Sequence, residues 1–417
     1  CIDYALEQNI TIRKNRVTAE STQIDVKTAK AALFPSLSFS TSQQVVNRPY
    51  QETSSRVSGS EIISSNSKTS YNGNYGLNAS WTIYNGSKRL KTLKQERLNN
   101  QVAELDVATS ENMIKESIAQ IYIQILYAAE SVRVNENTLQ VSIAQRDRGQ
   151  ELLNAGSIAK SDFAQLEAQV STDRYQLVTA QATLQDYKLQ LKQLLELDGE
   201  NEMNVYLPKL SDENVLAPLP AKKDVYVSAL AIRPEIEASK LNVEASELGI
   251  DIAKSSYFPT ISLSAGIGTN HTSGSDFTFG EQVKNGWNNS IGLSVSVPIF
   301  NNRQTKSAVQ KAKLQRETDM LSLLDEQKAL YKTIESLWLD ANSAQQRYAA
   351  ANEKLRSTQI SYDLISEQFN LGMKNTVELL TEKNNLLQAQ QEQLQAKYMA
   401  ILNTQLLKFY QGDKLTL

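Results

Sequence analysis

The apolar positions of this chain change period several times, and the changes mark out its elements. Residues 1–33 place Ala5, Leu6, Ile24 and Val26 among polar residues and read as helix. Phe34-Pro35 stops that helix, because proline lacks an N–H and drives the residue before it toward extended backbone. The period then drops to two. Leu37, Phe39 and Thr41 alternate with Ser36, Ser38 and Ser40; after them Leu77, Ala79, Trp81 and Ile83 alternate with Asn78, Ser80 and Thr82. Between the two strands the Ser-rich stretch 49–70 reads as a long surface loop. From residue 85 to about 153 there is no proline and no turn cluster, which predicts a helix of roughly 68 residues and about 100 Å. Ile114, Ile118, Ile121 and Ile125 give it a heptad seam, and Leu177, Leu184 and Leu191 give one to the helix after Gly156.

The same order then recurs. Phe34-Pro35-Ser36-Leu37-Ser38 returns as Phe258-Pro259-Thr260-Ile261-Ser262, and Ile83-Tyr84-Asn85-Gly86 as Ile299-Phe300-Asn301-Asn302. Asn154-Ala155-Gly156 returns as Asn370-Leu371-Gly372. Ile261, Leu263, Ala265 and Ile267, then Ile291, Leu293, Val295, Val297 and Ile299, form the second strand pair around a loop at about 270–288. Leu330, Ile334, Leu337 and Ala341 repeat the first seam, and Leu387, Leu394 and Ile401 the second. An internal duplication accounts for this. It divides the chain into a first repeat, 1–197 (hairpin about 36–84, long helical hairpin about 86–196), and a connector, 198–224. A second repeat follows at 225–410 (hairpin about 260–300, helical hairpin about 303–410), then a tail, 411–417. The connector holds Pro208, Pro218 and Pro220, has no seam, and is expected to pack outside the helices with the tail.

The hairpins have one apolar and one Ser/Asn/Gly face. A half-buried sheet would show that pattern; so would a membrane barrel. The small hydrophilic face, the strand length and the aromatics near strand ends (Tyr71, Tyr75, Trp81, Tyr84, Trp287, Phe300) favour the barrel. Four strands cannot close one, so the chain must assemble with copies; three would give twelve strands.

Composition narrows the function. Of 417 residues 41% are hydrophobic, and no apolar window is long enough for a transmembrane helix. A net charge of −3 gives no basic field for nucleic acid. With one Cys and one His there is neither an internal disulfide nor a multi-histidine metal site, and no cofactor is expected. His271 lies in a polar loop without a phosphate cradle or nucleophile elbow, so no enzyme is expected. Trp338, mid-helix, reads as packing. Any export leader is expected to have been removed or to lie outside these residues. Cys1 has two readings: a lipid-modified mature N-terminus, or an apolar helix residue, since Cys1 with Ala5-Leu6 aligns with Val225 and Ala229-Leu230. The second is preferred.

Taken together these motifs resemble the TolC-like outer-membrane efflux family. The carriers are Cys1-Ile2-Asp3-Tyr4-Ala5-Leu6 with Asn9; Ala29 through Ser36 around Phe34-Pro35, and its copy at 253–260; and Trp81-Thr82-Ile83-Tyr84-Asn85-Gly86, with its copy at 297–302. The tips Leu153-Asn154-Ala155-Gly156-Ser157-Ile158 and Phe369-Asn370-Leu371-Gly372-Met373 complete the set. The resemblance spans the whole chain. It implies a mainly α fold with a transmembrane β part: antiparallel coiled-coil helices forming a periplasmic α-barrel, and four strands per chain in a homotrimeric twelve-stranded outer-membrane β-barrel. It implies a passive exit duct of a tripartite efflux or type I secretion system. The partners would be outer-membrane lipid, a periplasmic adaptor (membrane fusion) protein and an inner-membrane pump of the RND or ABC type, with no nucleic acid.

The resemblance also implies site residues. The closed state would be locked by Phe369, Lys374 and Asp162, where the family often has Tyr and Arg at the first two. Phe369 lacks the hydroxyl and Lys374 the bidentate fork, so a weaker lock is expected. Asp162 has the alternative of capping the helix that starts near Ser161. An acidic pore ring would fall on Glu378, with neutral Thr381 at the second ring position and Glu382 beside it; the alternative is that Glu378 faces solvent outside. Adaptor docking would fall on Gly156, Ser157, Ile158, Gly372 and Met373. The competing function is a non-conducting coiled-coil structural or adhesive envelope protein. The cargo is not legible.

Overall fold

The computed structural model describes residues 1–50, 54–58, 61–65, 68–198, 203–208 and 215–415. Its elements are α1 (Ile2–Gln8), α2 (Ile10–Ala31), β1 (Ser36–Asn47), β2 (Ser54–Ser58), β3 (Glu61–Ser65), β4 (Thr69–Asn85), α3 (Lys88–Asn154) and α4 (Lys160–Leu194). There follow α5 (Lys222–Ile232), α6 (Pro234–Ser255), β5 (Thr260–Thr272), α7 (Phe279–Asn285), β6 (Asn288–Ser296), α8 (Gln304–Asn370) and α9 (Thr376–Gln411). The two long helices α3 and α8 each run 67 residues.

Two compact units emerge. One comprises Glu20–Gln101 and Leu241–Leu321 and holds the sheet. Its four strands lie in the order β1-β4-β5-β6, every neighbour antiparallel. Leu37 faces Ala79, Ala79 faces Ala265 and Ala265 faces Ile291; Phe39, Leu77 and Ile267 form the next row. Side chains alternate along a strand, so these rows share one face. Ser36, Ser80 and Ser264 share the other, as do Ser40, Gly76 and Gly268. On this polar face Asn78 Nδ2 donates to Ser40 Oγ at 3.3 Å and Asn74 Nδ2 to Ser42 Oγ at 3.3 Å. Among the described residues β1 and β6 pair on one side only. At the helical end of the sheet, Trp81 Nε1 donates to Leu33 O at 2.8 Å, and the Arg89 guanidinium donates to the carbonyls of Ala32 and Thr82.

The other unit comprises Cys1–Ala19, Val102–Lys240 and Ser322–Leu417. Its core has two similar parts. Ala5, Ile118, Ile125, Leu191 and Leu195 are buried together, and so are Ala229, Ile334, Ala341 and Leu407 with Val225, Ile236, Leu330 and Tyr410. The seams predicted from heptad spacing supply Ile118, Ile125, Leu191, Leu330, Ile334 and Ala341 of these side chains. Val215 is buried against Ala344, Tyr348, Ala396 and Ala400, and Gln345 Nε2 donates to the carbonyls of Val215 and Ala217. Trp338 packs, with its Nε1 donating to Pro220 O at 3.1 Å.

Several local expectations are corrected. The first helix breaks at Asn9, whose Oδ1 accepts from Thr11 N at 2.9 Å and so caps α2. The corresponding helix breaks at Arg233, held extended by Pro234, which opens α6. Cys1 is the N-cap of α1, its carbonyl accepting from Ala5 N at 2.9 Å. The loop at 49–70 contains the hairpin β2–β3, and the loop at 270–288 contains α7. Thr278 starts α7 through a reciprocal cap with Glu281, in which Thr278 N donates to the carboxylate at 2.8 Å. Finally, β6 stops at Ser296, short of Pro298, so Val297 and Ile299 lie beyond it.

Candidate functional site: the paired helical tips

Both long hairpins turn through a glycine. Gly156 has φ +73° and Gly372 φ +74°, the left-handed conformation that a side chain disfavours. Each turn is closed twice: Gly156 N donates to Leu153 O and Ser157 N to Leu152 O, while Gly372 N donates to Phe369 O and Met373 N to Gln368 O. This paired pattern satisfies carbonyls that a helix end otherwise leaves free. The tip side chains Ser157 and Met373 are exposed, and Ile158 is half-buried.

The tips meet through a small core. Phe369, 2% exposed, packs with Leu166 and Leu379, flanked by Leu152 and Tyr362. Arg148 Nη2 donates to Asn370 O at 3.3 Å, and Gln145 Nε2 donates to Tyr362 Oη at 2.9 Å. The three suggested lock residues are distributed differently. Phe369 is in this intrachain core. The Asp162 carboxylate accepts from Ala159 N at 3.3 Å, a capping contact at the start of α4. The Lys374 ammonium sits on Glu378 at 2.6 Å, one helical turn away. Glu378 also accepts from Asn375 N at 3.2 Å. These contacts, the Lys374 hydrogen bond first, hold its carboxyl below the usual carboxylate value. Thr381 turns its hydroxyl to Val377 O, and Glu382 accepts from Ser361 Oγ at 3.0 Å.

A buried polar cluster behind the tips escaped the pattern reading. Asp173 and Lys383, their side chains 1% and 3% exposed, form an ion pair that links α4 to α9. Ser142 of α3 bonds both, and Gln169 Nε2 donates to Asp173 Oδ1 at 2.9 Å. Burial pulls the Lys383 ammonium below its ordinary pKa, and Asp173 opposes that shift. The signal was present in the sequence. Leu166-Val170-Asp173 and Leu379-Lys383-Leu386 both run at i, i+4, i+7, so each charge occupies an apolar seam position.

A second buried cluster joins α3, the α5–α6 junction and the end of α9. Arg233 Nη2 reaches Glu116 at 3.0 Å, and the guanidinium carbon lies 3.6 Å from the Tyr410 ring centroid. Burial raises the Glu116 pKa, and burial with the nearby Glu116 charge pushes Tyr410 up to about 12.

The model of the family described as "Outer membrane efflux protein" matches residues 1–196 and 225–412. The chain belongs to that family. Like other outer membrane efflux proteins it is placed in the outer membrane, with a helical part and a β part. It is 25% identical over 294 residues to the outer membrane efflux protein BepC of Brucella suis biovar 1 (strain 1330), across 70% of this chain and 61% of BepC. It is 24% identical over 341 residues to the outer membrane protein TolC of Escherichia coli (strain K12), across 78% of this chain and 66% of TolC. The chain thus spans somewhat under two thirds of the length of these relatives. A crystal structure of CusC covers 99% of this chain and 91% of its own, with TM-score 0.84 and 19% identity, a likeness of fold.

Proposed function

We propose that this efflux-family chain is one third of a passive exit duct. Three copies would close a twelve-stranded barrel in the outer membrane and a helical barrel in the periplasm. A periplasmic adaptor would dock at the tips, and an inner-membrane pump would supply the energy. The observation that carries this is the sheet: one polar face, one apolar face and, among the described residues, two edge strands paired on one side only. Such edges inside lipid require pairing, and closure by further copies provides it. Exposed Leu314, Leu321, Ile360 and Leu364 on α8 supply apolar surface for helix contacts between copies.

The wall of each copy is built from two structural repeats, 1–197 and 225–410, joined by the 198–224 connector. The equal lengths of α3 and α8 and the matched cores around Ala5 and Ala229 support this.

Gating in this reading is a competition for one ammonium. Lys374 already satisfies Glu378 within its own chain. A closing contact with Asp162, stacked on the Phe369 core, has to draw Lys374 away. Exposed pairs are worth about 0–1 kcal/mol each, so several copies act together and the lock is weak. Three Glu378 carboxylates around a narrow entrance, with Glu382 behind them, favour cations. The test is the reversal potential in a salt gradient. Glu378→Gln is expected to lower cation preference, and an unaltered potential would remove the ring. Asp162→Ala with Lys374→Ala is expected to raise conductance, and unchanged conductance would remove both from the gate.

A further inference from the structure

At the end of the sheet away from α2 and α3, the short helix α7 is laid onto the apolar face. The register fixes which face this is: Tyr75 pairs with Thr269 and Gly73 with His271, in the same alternation as Leu77, Ala79 and Trp81. The His271 ring stacks on Tyr75 with centroids 5.9 Å apart, and Phe279 of α7 meets it edge-on at 5.2 Å. Gly73 makes room for the imidazole, since a Cβ there would stand 2.2 Å from His271 Cε1. Thr269 Oγ1 donates to Val283 O at 2.7 Å, and Gln282 Oε1 accepts from Thr272 N at 2.8 Å. Thus α7 is pinned to the sheet rather than standing off as a loop.

Pinned this way, α7 still turns aromatic surface outward. Phe279 and Trp287 are each 57% exposed, and Phe277 is 49% exposed, beside the exposed charges of Glu281 and Lys284. Aromatic rings next to charges are the composition of a headgroup boundary. The spacing agrees. From Gly73, opposite His271 beneath α7, to Trp81 is about 26 Å along β4, or about 20 Å of membrane depth at a tilt near 40°, a little under the height of a barrel's apolar band.

We propose that α7 and Trp287 form a lipid-interface anchor that sets how deeply this end of the barrel sits. The exposed rings occupy the headgroup–acyl boundary of the far leaflet, with Trp81 marking the opposite boundary. This rests on the membrane-barrel reading above, so the test separates the two. Two variants each keep one sheet tryptophan, Trp287 in W81F/W338F and Trp81 in W287F/W338F. They are reconstituted in phosphatidylcholine vesicles brominated at acyl positions 6,7 or 11,12, with folding checked by circular dichroism. Trp287 is expected to be quenched at least two-fold more by the shallow bromines, and Phe277→Ser with Phe279→Ser to halve that quenching. Quenched Trp81 with unquenched or deeply quenched Trp287 overturns the anchor alone. Both tryptophans unquenched in folded, vesicle-inserted protein overturns the barrel reading with it.

Discussion

Along α3 and α4 the chain closes its own apolar seam: Ile118, Ile125, Leu191 and Leu195 are buried together with Ala5. On the edge strands it does the opposite. Leu37 and Phe39 of β1 and Ile291 and Leu293 of β6 stay exposed, Ile291 at 83%. Both regions are amphipathic and differ in what covers the apolar side. The seams of the helical hairpins are stabilised by in-chain packing, so substitutions in those seams act on folding. The sheet leaves its apolar face uncovered by the chain itself, so in the barrel reading substitutions on that face act on membrane insertion and leave helix packing alone.

The largest effect that sharpens this contrast lies in the hairpins. Asp173→Ala strands the buried Lys383 charge and is expected to cost about 3–5 kcal/mol, seen as a lowered thermal midpoint in detergent. Asp173→Leu with Lys383→Met is expected to recover most of it. If the single and double variants melt alike, the pair does not hold the hairpins together. On the sheet, Leu293→Arg is expected to cost about 2–4 kcal/mol of membrane stability, read as loss from the membrane fraction with helix content intact. A variant that inserts normally would show that Leu293 does not face lipid. Asn375→Ala removes the cap on α9, in which Glu378 N donates to Asn375 Oδ1 at 2.9 Å, for about 1 kcal/mol in the same melts.

The smallest effect is a pH dependence at the tip. The folded Glu378 pKa is depressed, so its contribution is complete above the unfolded value of about 4.5 and is lost as the pH falls below it. The protection factor of the amides at the start of α9, taken against the intrinsic exchange rate at each pH, should therefore fall in acid, and Glu378→Gln should abolish that response.

Much of this was legible from period alone. The two-residue alternation from Leu37 to Thr41 and the heptads through Ile118 and Ile334 marked the strands and the seams, and the repeated Gly156 and Gly372 marked the tip turns. Less visible were features set by one or two residues. The breaks at Asn9 and Arg233 depend on a side-chain cap and on the proline after Arg233, which a run of apolar residues masks. The helix α7 announced itself only through Thr278-x-x-Glu281. The Asp173–Lys383 pair was readable as charges in seam register, but its partners come from helices far apart in sequence. Lys374 chose Glu378, its i+4 neighbour, a local competitor that the family pattern did not weigh.

An exit duct must make a water-filled path through a bilayer. Single-channel currents of the purified, detergent-extracted protein in a planar membrane test that directly. Small, long-lived, cation-favouring steps are the predicted result. Folded, membrane-extracted protein that never conducts would contradict it and leave a non-conducting coiled-coil envelope protein as the better reading.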